Sequence, residues 1–300
     1  MAATIQPVLR VVESAALRRI LLATDFAEDS SGAVQRAFAM ARRYQSRLYV
    51  VHVVHSIGYF LAGGSTAAEA EMQAWRDARR LEVQRTLDGS LEGIQYEVHV
   101  LAGPPADMIS QAAANLHADL IVLGGHGRHG VAKLLLGSCT EGVLRSAPCP
   151  IMTVGPVACG RKLACKTPQR ILLLTNFSSA SEYAARYSSA LAGRSGAELI
   201  ALHVVEGGEK PDSQQEQAAM QRLRDWLDSL GQCPVTPQTW VRSGPPGETV
   251  LEVAHQLSAD LIVIGIDRNS GRRSGLSNAY HVVCESECPV VTVPAERERN

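Results

Sequence analysis

The chain has 300 residues, 46% hydrophobic and 20% charged, which excludes a disordered polymer and leaves room for two globular domains. Lys and Arg number 29 against 30 Asp and Glu, so a net charge near −1 gives nucleic acid or an anionic membrane no electrostatic hold. No apolar run approaches the roughly 18 residues of a membrane span.

Residues 1–17, MAATIQPVLRVVESAAL, lack the apolar core and small-residue cleavage site of a signal peptide and read as a disordered leader. RILLAT, from Arg19, has the continuous apolar character of a buried strand. The next stretch, from Ser30 to Gln45, places Ala33, Ala37, Ala41 and Tyr44 on one helical face, with Ser30 or Ser31 as its cap. RLYVVHVV is a second strand, and a long amphipathic helix then runs to Gly89. YEVHVLAG alternates as a third strand, PPADMISQAAANLHA is a helix opened by proline, and DLIVLGG is a fourth strand. A helix over GSCTEGVLRSA and a strand over CPIMTV complete the unit.

The unit then repeats. Arg19–Phe26 matches Arg170–Phe177, and Leu48–Val54 matches Leu199–Val205, both at an offset of 151. Gly103-Pro104-Pro105 pairs with Gly244-Pro245-Pro246, and Ala118–Val122 with Ala259–Val263, at an offset of 141. Cys149-Pro150 and Cys288-Pro289 align at an offset of 139. This period means duplicated domains rather than a solenoid. Strands alternating with helices predict an α/β fold: two tandem, open, parallel five-stranded sheets with helices on both faces. The predicted division is a leader over 1–17, a first domain over 18–155, a linker over 156–168 and a second domain over 169–300. Seven cysteines form no CxxC pair, the CESEC stretch is assigned no metal, and a reducing cytoplasm is the expected compartment.

The first copy carries a glycine stretch after its fourth strand. Gly125-His126-Gly127-Arg128-His129-Gly130 fits GxGxxG, but that dinucleotide motif belongs after a first strand and needs an acid about 20 residues on. No acid lies between Glu141 and Glu182. A Walker reading fails because Val131-Ala132 follows where Lys-Ser/Thr is required. Gly124-x2-Gly127-x9-Gly137-Ser138 fits better: a strand end, a long loop and a helix opening. Glycines let backbone N–H groups approach phosphate oxygens, and a helix start adds unpaired N–H groups and a positive dipole end. Ser138 and Thr140 bring hydroxyls to that turn. Asp25, at the end of the first strand, reaches the same rim, where ligands of open parallel sheets sit.

With the repeat and this glycine spacing, the chain resembles the universal stress protein family in its tandem two-domain form, over roughly residues 18–155 and 169–294. The resemblance implies the adenine nucleotide alpha hydrolase-like fold and, in the first copy, ATP with magnesium. By position, Ala23, Thr24, Asp25 and Val53 would line base and ribose. Leu123, Gly124, Gly127, Gly137, Ser138, Cys139 and Thr140 would hold ribose and phosphates. It also implies that Ile151–Val154 and Val290–Val293 form a pseudo-twofold seam, and that chains associate further.

The second copy departs from the pattern. Asn176 replaces the acid, Arg268 stands at the second glycine and Leu276 at the third, while Gly265 and Ser277 remain. A degenerate nucleotide site is expected there, with Arg268, Arg272 and Arg273 as a solvated basic loop. His52 and His203 recur at matching strand positions and read as packed core residues. Cys139 reads as a small packed residue rather than a reactive thiol. His126, His129, Arg128 and Lys133 are taken as solvated or near phosphate.

The functional expectation is an ATP-binding, cytoplasmic regulator of stress response acting on an unidentified protein partner. The alternatives are a slow ATPase or nucleotide-transferring enzyme, for which no Walker lysine is present, and a nucleotide-independent scaffold.

Overall fold

The computed structural model describes residues 15, 17–27, 30–54, 66–87, 91–125, 136–155, 157–158, 167–207, 213–267 and 275–295. The first copy runs β1 (Arg19–Ala23), α1 (Ser31–Tyr44), β2 (Arg47–Val54), α2 (Thr66–Leu87), β3 (Tyr96–Ala102), α3 (Pro105–Asn115), β4 (Leu120–Gly124), α4 (Ser138–Ser146) and β5 (Ile151–Val154). The second repeats it as β6 (Arg170–Thr175), α5 (Ser179–Ser195), β7 (Glu198–Val205), α6 (Ser213–Ser229), β8 (Gln238–Ser243), α7 (Pro246–Gln256), β9 (Leu261–Ile266), α8 (Gly275–Glu285) and β10 (Val290–Pro294). The glycine loop beyond Gly125, the second copy's arginine loop, Gly89 and most of the leader and linker lie outside the described residues.

The two five-stranded sheets are not separate. They join edge to edge in one ten-stranded sheet of order β3-β2-β1-β4-β5-β10-β9-β6-β7-β8. Every pairing within a copy is parallel, whereas β5 and β10 run antiparallel, with Val291 opposite Met152. The expected seam is therefore present, and the tandem domains form an internal pseudo-dimer. The physical reason is edge closure: β5 and β10 are uncovered edges of their own sheets, and each satisfies the other's backbone groups. Gly155, just past β5, makes the fit possible, because a Cβ there would lie 2.5 Å from the Val283 carbonyl oxygen.

The duplication also sets the layers. On one face, α1, α2, α5 and α6 cover a core continuous across both copies, including Ile20, Leu22, Ala37, Leu173 and Tyr187. On the other face lie two clusters, one around Ile121 and Val143 that also takes in Ile266 and Ala279 of the second copy, and one around Ile262 and Val282. Leu136, just before α4, packs against both. Continuous apolar central strands follow from this two-sided cover, since β1, β4, β5 and β10 are buried along nearly their whole length.

Two repeated devices fasten the loops. Asp119 Oδ2 accepts the N–H groups of Arg18 and Arg19 at 2.9 and 2.8 Å, and Asp260 Oδ2 accepts those of Gln169 and Arg170. Burial pushes the Asp119 carboxyl up despite these bonds. At the other end, Gly103 and Gly244 take φ of +145° and +139°, a conformation closed to L side chains, and turn each third strand into a proline-opened helix.

Candidate functional site

In each copy the chain reverses its winding direction between the first and fourth strands. This switch point is where an open parallel sheet leaves a crevice beyond its carboxyl ends. In the first copy Ala23 is the register partner of Leu123, so the segments after them, Thr24-Asp25 and Gly124-Gly125, leave the sheet side by side. Val53 lies one strand further out, in register with Leu101.

The strand end is tied into a fixed turn. Thr24 Oγ1 accepts the Phe26 N–H at 3.0 Å, and the Thr24 carbonyl lies 2.9 Å from His52 Nδ1. Asp25 Oδ1 accepts the Ala27 N–H at 3.1 Å and the Ser30 hydroxyl at 2.6 Å. Ser30 therefore does not cap α1 with its side chain, as expected from sequence; its hydroxyl goes to Asp25 instead. Phe26 takes φ of +59°, and its ring lies 5.7 Å from that of His52. A non-glycine residue is held there only by surrounding contacts.

The second copy repeats the turn. Phe177 has φ of +65°, its N–H goes to Thr175 Oγ1, its ring lies 4.3 Å from His203, and His203 Nδ1 lies 3.0 Å from the Thr175 carbonyl. His52 and His203 are thus packed residues that lock strand ends. Burial holds His203 below the ordinary histidine range.

Across the crevice, α4 opens with an extended Gly137 that offers no side-chain cap. Thr140 Oγ1 donates to the Gly124 carbonyl at 2.9 Å and Gly137 N–H to the Gly125 carbonyl at 3.0 Å, pinning both ends of the glycine loop together. These two groups, counted from sequence among the ligand donors, are committed to the protein itself. Gly125 N–H is likewise bonded, to Val154. The first intrahelical donor is Glu141, to the Gly137 carbonyl. Among the described residues, nothing accepts the N–H groups of Ser138, Cys139 or Thr140. Three orphan amides at a positive helix end are what an anion requires.

Cys139 is half-buried on this turn, and burial together with the Asp25 carboxylate pushes its thiol up to about 11. Asp25 and the α4 opening thus face one another closely enough to interact electrostatically. The thiol is protonated at neutral pH, which fits a packed residue and not a nucleophile. Gly127 lies outside the described residues. The structure therefore brings Ala23, Thr24, Asp25, Leu123, Gly124, Gly137, Ser138, Cys139 and Thr140 around one crevice.

The model of the universal stress protein family matches residues 16–155 and again 168–294. The chain belongs to the universal stress protein family. As a universal stress protein it is 36% identical to a family member of Thermus aquaticus over 138 residues, which cover 46% of this chain and 98% of that one. It is 30% identical to universal stress protein A homolog 1 of Coxiella burnetii, over 46% of this chain and 95% of that one. A universal stress protein from Archaeoglobus fulgidus shares the whole two-copy fold, with a TM-score of 0.68 at 22% identity over 94% of this chain and 97% of that one. Among the described residues, no helix is long and apolar enough to cross a membrane, and no group of His, Cys, Asp or Glu is placed to hold a metal.

Two features of the universal stress protein's site escape sequence reading. One is the left-handed Phe26 and Phe177 pair, whose signal was the repeated Thr-Asp/Asn-Phe triplet. The other is the contact of α4 with α8: Glu141 and Arg145 pair at 2.8 Å on α4, and both act on Tyr280, whose phenol burial and Glu141 push up. No local pattern announces a contact between residues so far apart in the chain.

Proposed function

We propose that the first copy binds an adenine nucleotide, with ATP as its physiological form, and that occupancy regulates an assembly or partner surface. The observation that carries this reading is the uncapped opening of α4, where three orphan amides meet a loop pinned at Gly124 and Gly137. Ser138, Cys139 and Thr140 would hold phosphate oxygens through backbone N–H groups, with Gly127 allowing close approach. Asp25 would accept a hydrogen bond from the base amine or a ribose hydroxyl, and Ala23, Val53 and Leu123 would flank the base and sugar. ATP, when bound, would present negative charge to the amides of Ser138, Cys139 and Thr140, and magnesium would offset the charge of its phosphates.

Regulation follows from where α4 leads. Its first turn faces the crevice, while Glu141 and Arg145 lie against Tyr280 of the second copy and Leu136 packs into both clusters. An anion that tightens the first turn of α4 therefore acts on the boundary between the copies. Hydrolysis is not part of this reading: the site's described residues include no lysine, and phosphoryl transfer depends on such charge clamps.

The test is titration calorimetry of ATP against Asp25→Ala and Gly127→Glu, with thermal melting as the folding control. Both variants should lose at least about tenfold in affinity while melting cooperatively. Unchanged affinity in both would remove the reading.

A further inference from the structure

Among the described residues, nothing fills the second copy's crevice. A cavity of about 310 Å³ lies beyond β6, β7 and β9, walled by Leu202, Val204, Val250, Ile264 and Val282, with Asn176 at its edge. That volume is at the lower end of the range for small-molecule pockets. What has changed is the chemistry of its rim.

Asn176 stands where the first copy has Asp25, and its amide is oriented without ambiguity. Its Oδ1 accepts the Ser178 backbone N–H at 3.2 Å, and a backbone N–H can only donate. The Ser178 hydroxyl accepts from the Ser181 N–H, and the Ser181 hydroxyl accepts from the Asn176 N–H. Both hydroxyl protons are thereby directed onto Asn176 Oδ1, at 2.6 and 2.8 Å. The oxygen is fully occupied, and the NH2 end has no protein partner among the described residues. A position that offers a carboxylate oxygen in the first copy offers two donors in the second.

The rim charge changes as well. Among the described residues, the charged side chains lining this cavity are two carboxylates, Glu206 and Asp267, which by sequence stand where the first copy has His55 and His126. No described residue forms an ion pair with Glu206. The strand glycine Gly265 is retained for packing: a Cβ there would lie 2.1 Å from the Ala180 carbonyl oxygen. Its survival is thus not a remnant of phosphate binding. In addition, Ala279 replaces the Thr140 that pins the first loop.

We propose that this crevice is a second ligand site with reversed hydrogen-bond polarity. It takes an uncharged heterocycle that presents a ring carbonyl to the Asn176 NH2 and hydroxyl donors to Glu206, and it rejects phosphate esters. The apolar walls bury the ring, and the Glu206 carboxylate repels an anionic tail. The purine-sized body follows from the first-copy reading; the polarity and the cavity do not depend on it.

Inosine and adenosine differ at the six-position, carbonyl against amine, and at the adjoining ring nitrogen, N–H against lone pair, and are the probes. Hydrogen exchange on the full chain, followed peptide by peptide, separates the two crevices. Inosine should protect residues 174–181 and 262–267 with about tenfold higher affinity than adenosine, and ATP should not protect them. Asn176→Asp keeps the acceptor for Ser178 and Ser181, so the fold is retained, and it should reverse the preference. Asp25→Ala should leave inosine protection in place. Protection by ATP at these peptides, equal affinity for the two nucleosides, no protection by inosine, or an unchanged preference in Asn176→Asp would each overturn the proposal. A failure of the first-copy reading would instead show as absent ATP protection at residues 23–27 and 137–141.

Discussion

The Thr140 hydroxyl donates to the Gly124 carbonyl at 2.9 Å, joining the first turn of α4 to the end of β4 and closing the base of the glycine loop. The bond is part-buried, with Thr140 itself 4% exposed, and it fixes where the orphan amides of α4 stand relative to Asp25. The second copy has Ala279 at this position and lacks the bond.

Thr140→Val keeps the side-chain shape but removes the donor and takes a part-buried hydrogen bond from the Gly124 carbonyl. Stability should fall by about 1–3 kcal/mol, measured by urea unfolding. ATP affinity should fall with it, by about three- to tenfold, because the amides lose their fixed anchor. A variant that loses stability but binds ATP normally would show that the bond serves the fold alone.

Gly155 tests the seam. Adding a methyl group by Gly155→Ala puts a Cβ 2.5 Å from the Val283 carbonyl oxygen, which belongs to α8 backbone and cannot rotate away. Destabilisation of about 1–3 kcal/mol is expected. Because the two copies share one sheet and one continuous core face, calorimetry should show both shifting together. Two transitions, with only the second copy's displaced, would mean that the copies melt independently.

Cys139 gives a chemical test of the crevice. With its thiol pushed up to about 11 by burial and Asp25, it should alkylate at pH 8 roughly a hundredfold more slowly than in the unfolded chain, followed by peptide mass spectrometry. Its folded value lies above its unfolded one, so the stability it contributes is complete below the unfolded value near 9. That contribution is lost as pH rises towards 11. Rapid labelling of the native protein at pH 8 would contradict the half-buried placement on α4.

His203 acts at the other end of the pH scale. Burial holds it below its usual value of 6.5, so the unfolded chain binds its proton first. Stability should therefore decline as pH falls below about 6.5, and His203→Gln should flatten that slope. An identical slope in the variant would mean that other groups control it.

Much of this molecule is legible in its residues. Apolar runs such as RILLAT and DLIVL announce strands buried on both faces, because short continuous apolar runs rich in branched residues and bounded by polar ones suit a covered strand. The repeat offsets reveal the duplication, and the glycine spacing marks one copy as different. The glycines carry mixed meanings that spacing does not separate. A Cβ on Gly142 would lie 2.5 Å from Ala106, whereas in the second copy Gly247 faces His281 at 2.6 Å. The small and large partners have exchanged helices, so Gly142 serves packing rather than ligand approach.

The amino-acid order by itself determined the strands, the helices, the two copies and the half-site that each strand end brings to the crevice, because periodicity and capping act over a few residues. It took the folded chain to show that the Thr140 hydroxyl faces inward to Gly124, and that Asn176 turns its NH2 end away from its serine partners. Those outcomes depend on which backbone groups remain unpaired after the chain has folded. That balance is closed between elements that folding brings together, where no local pattern reaches.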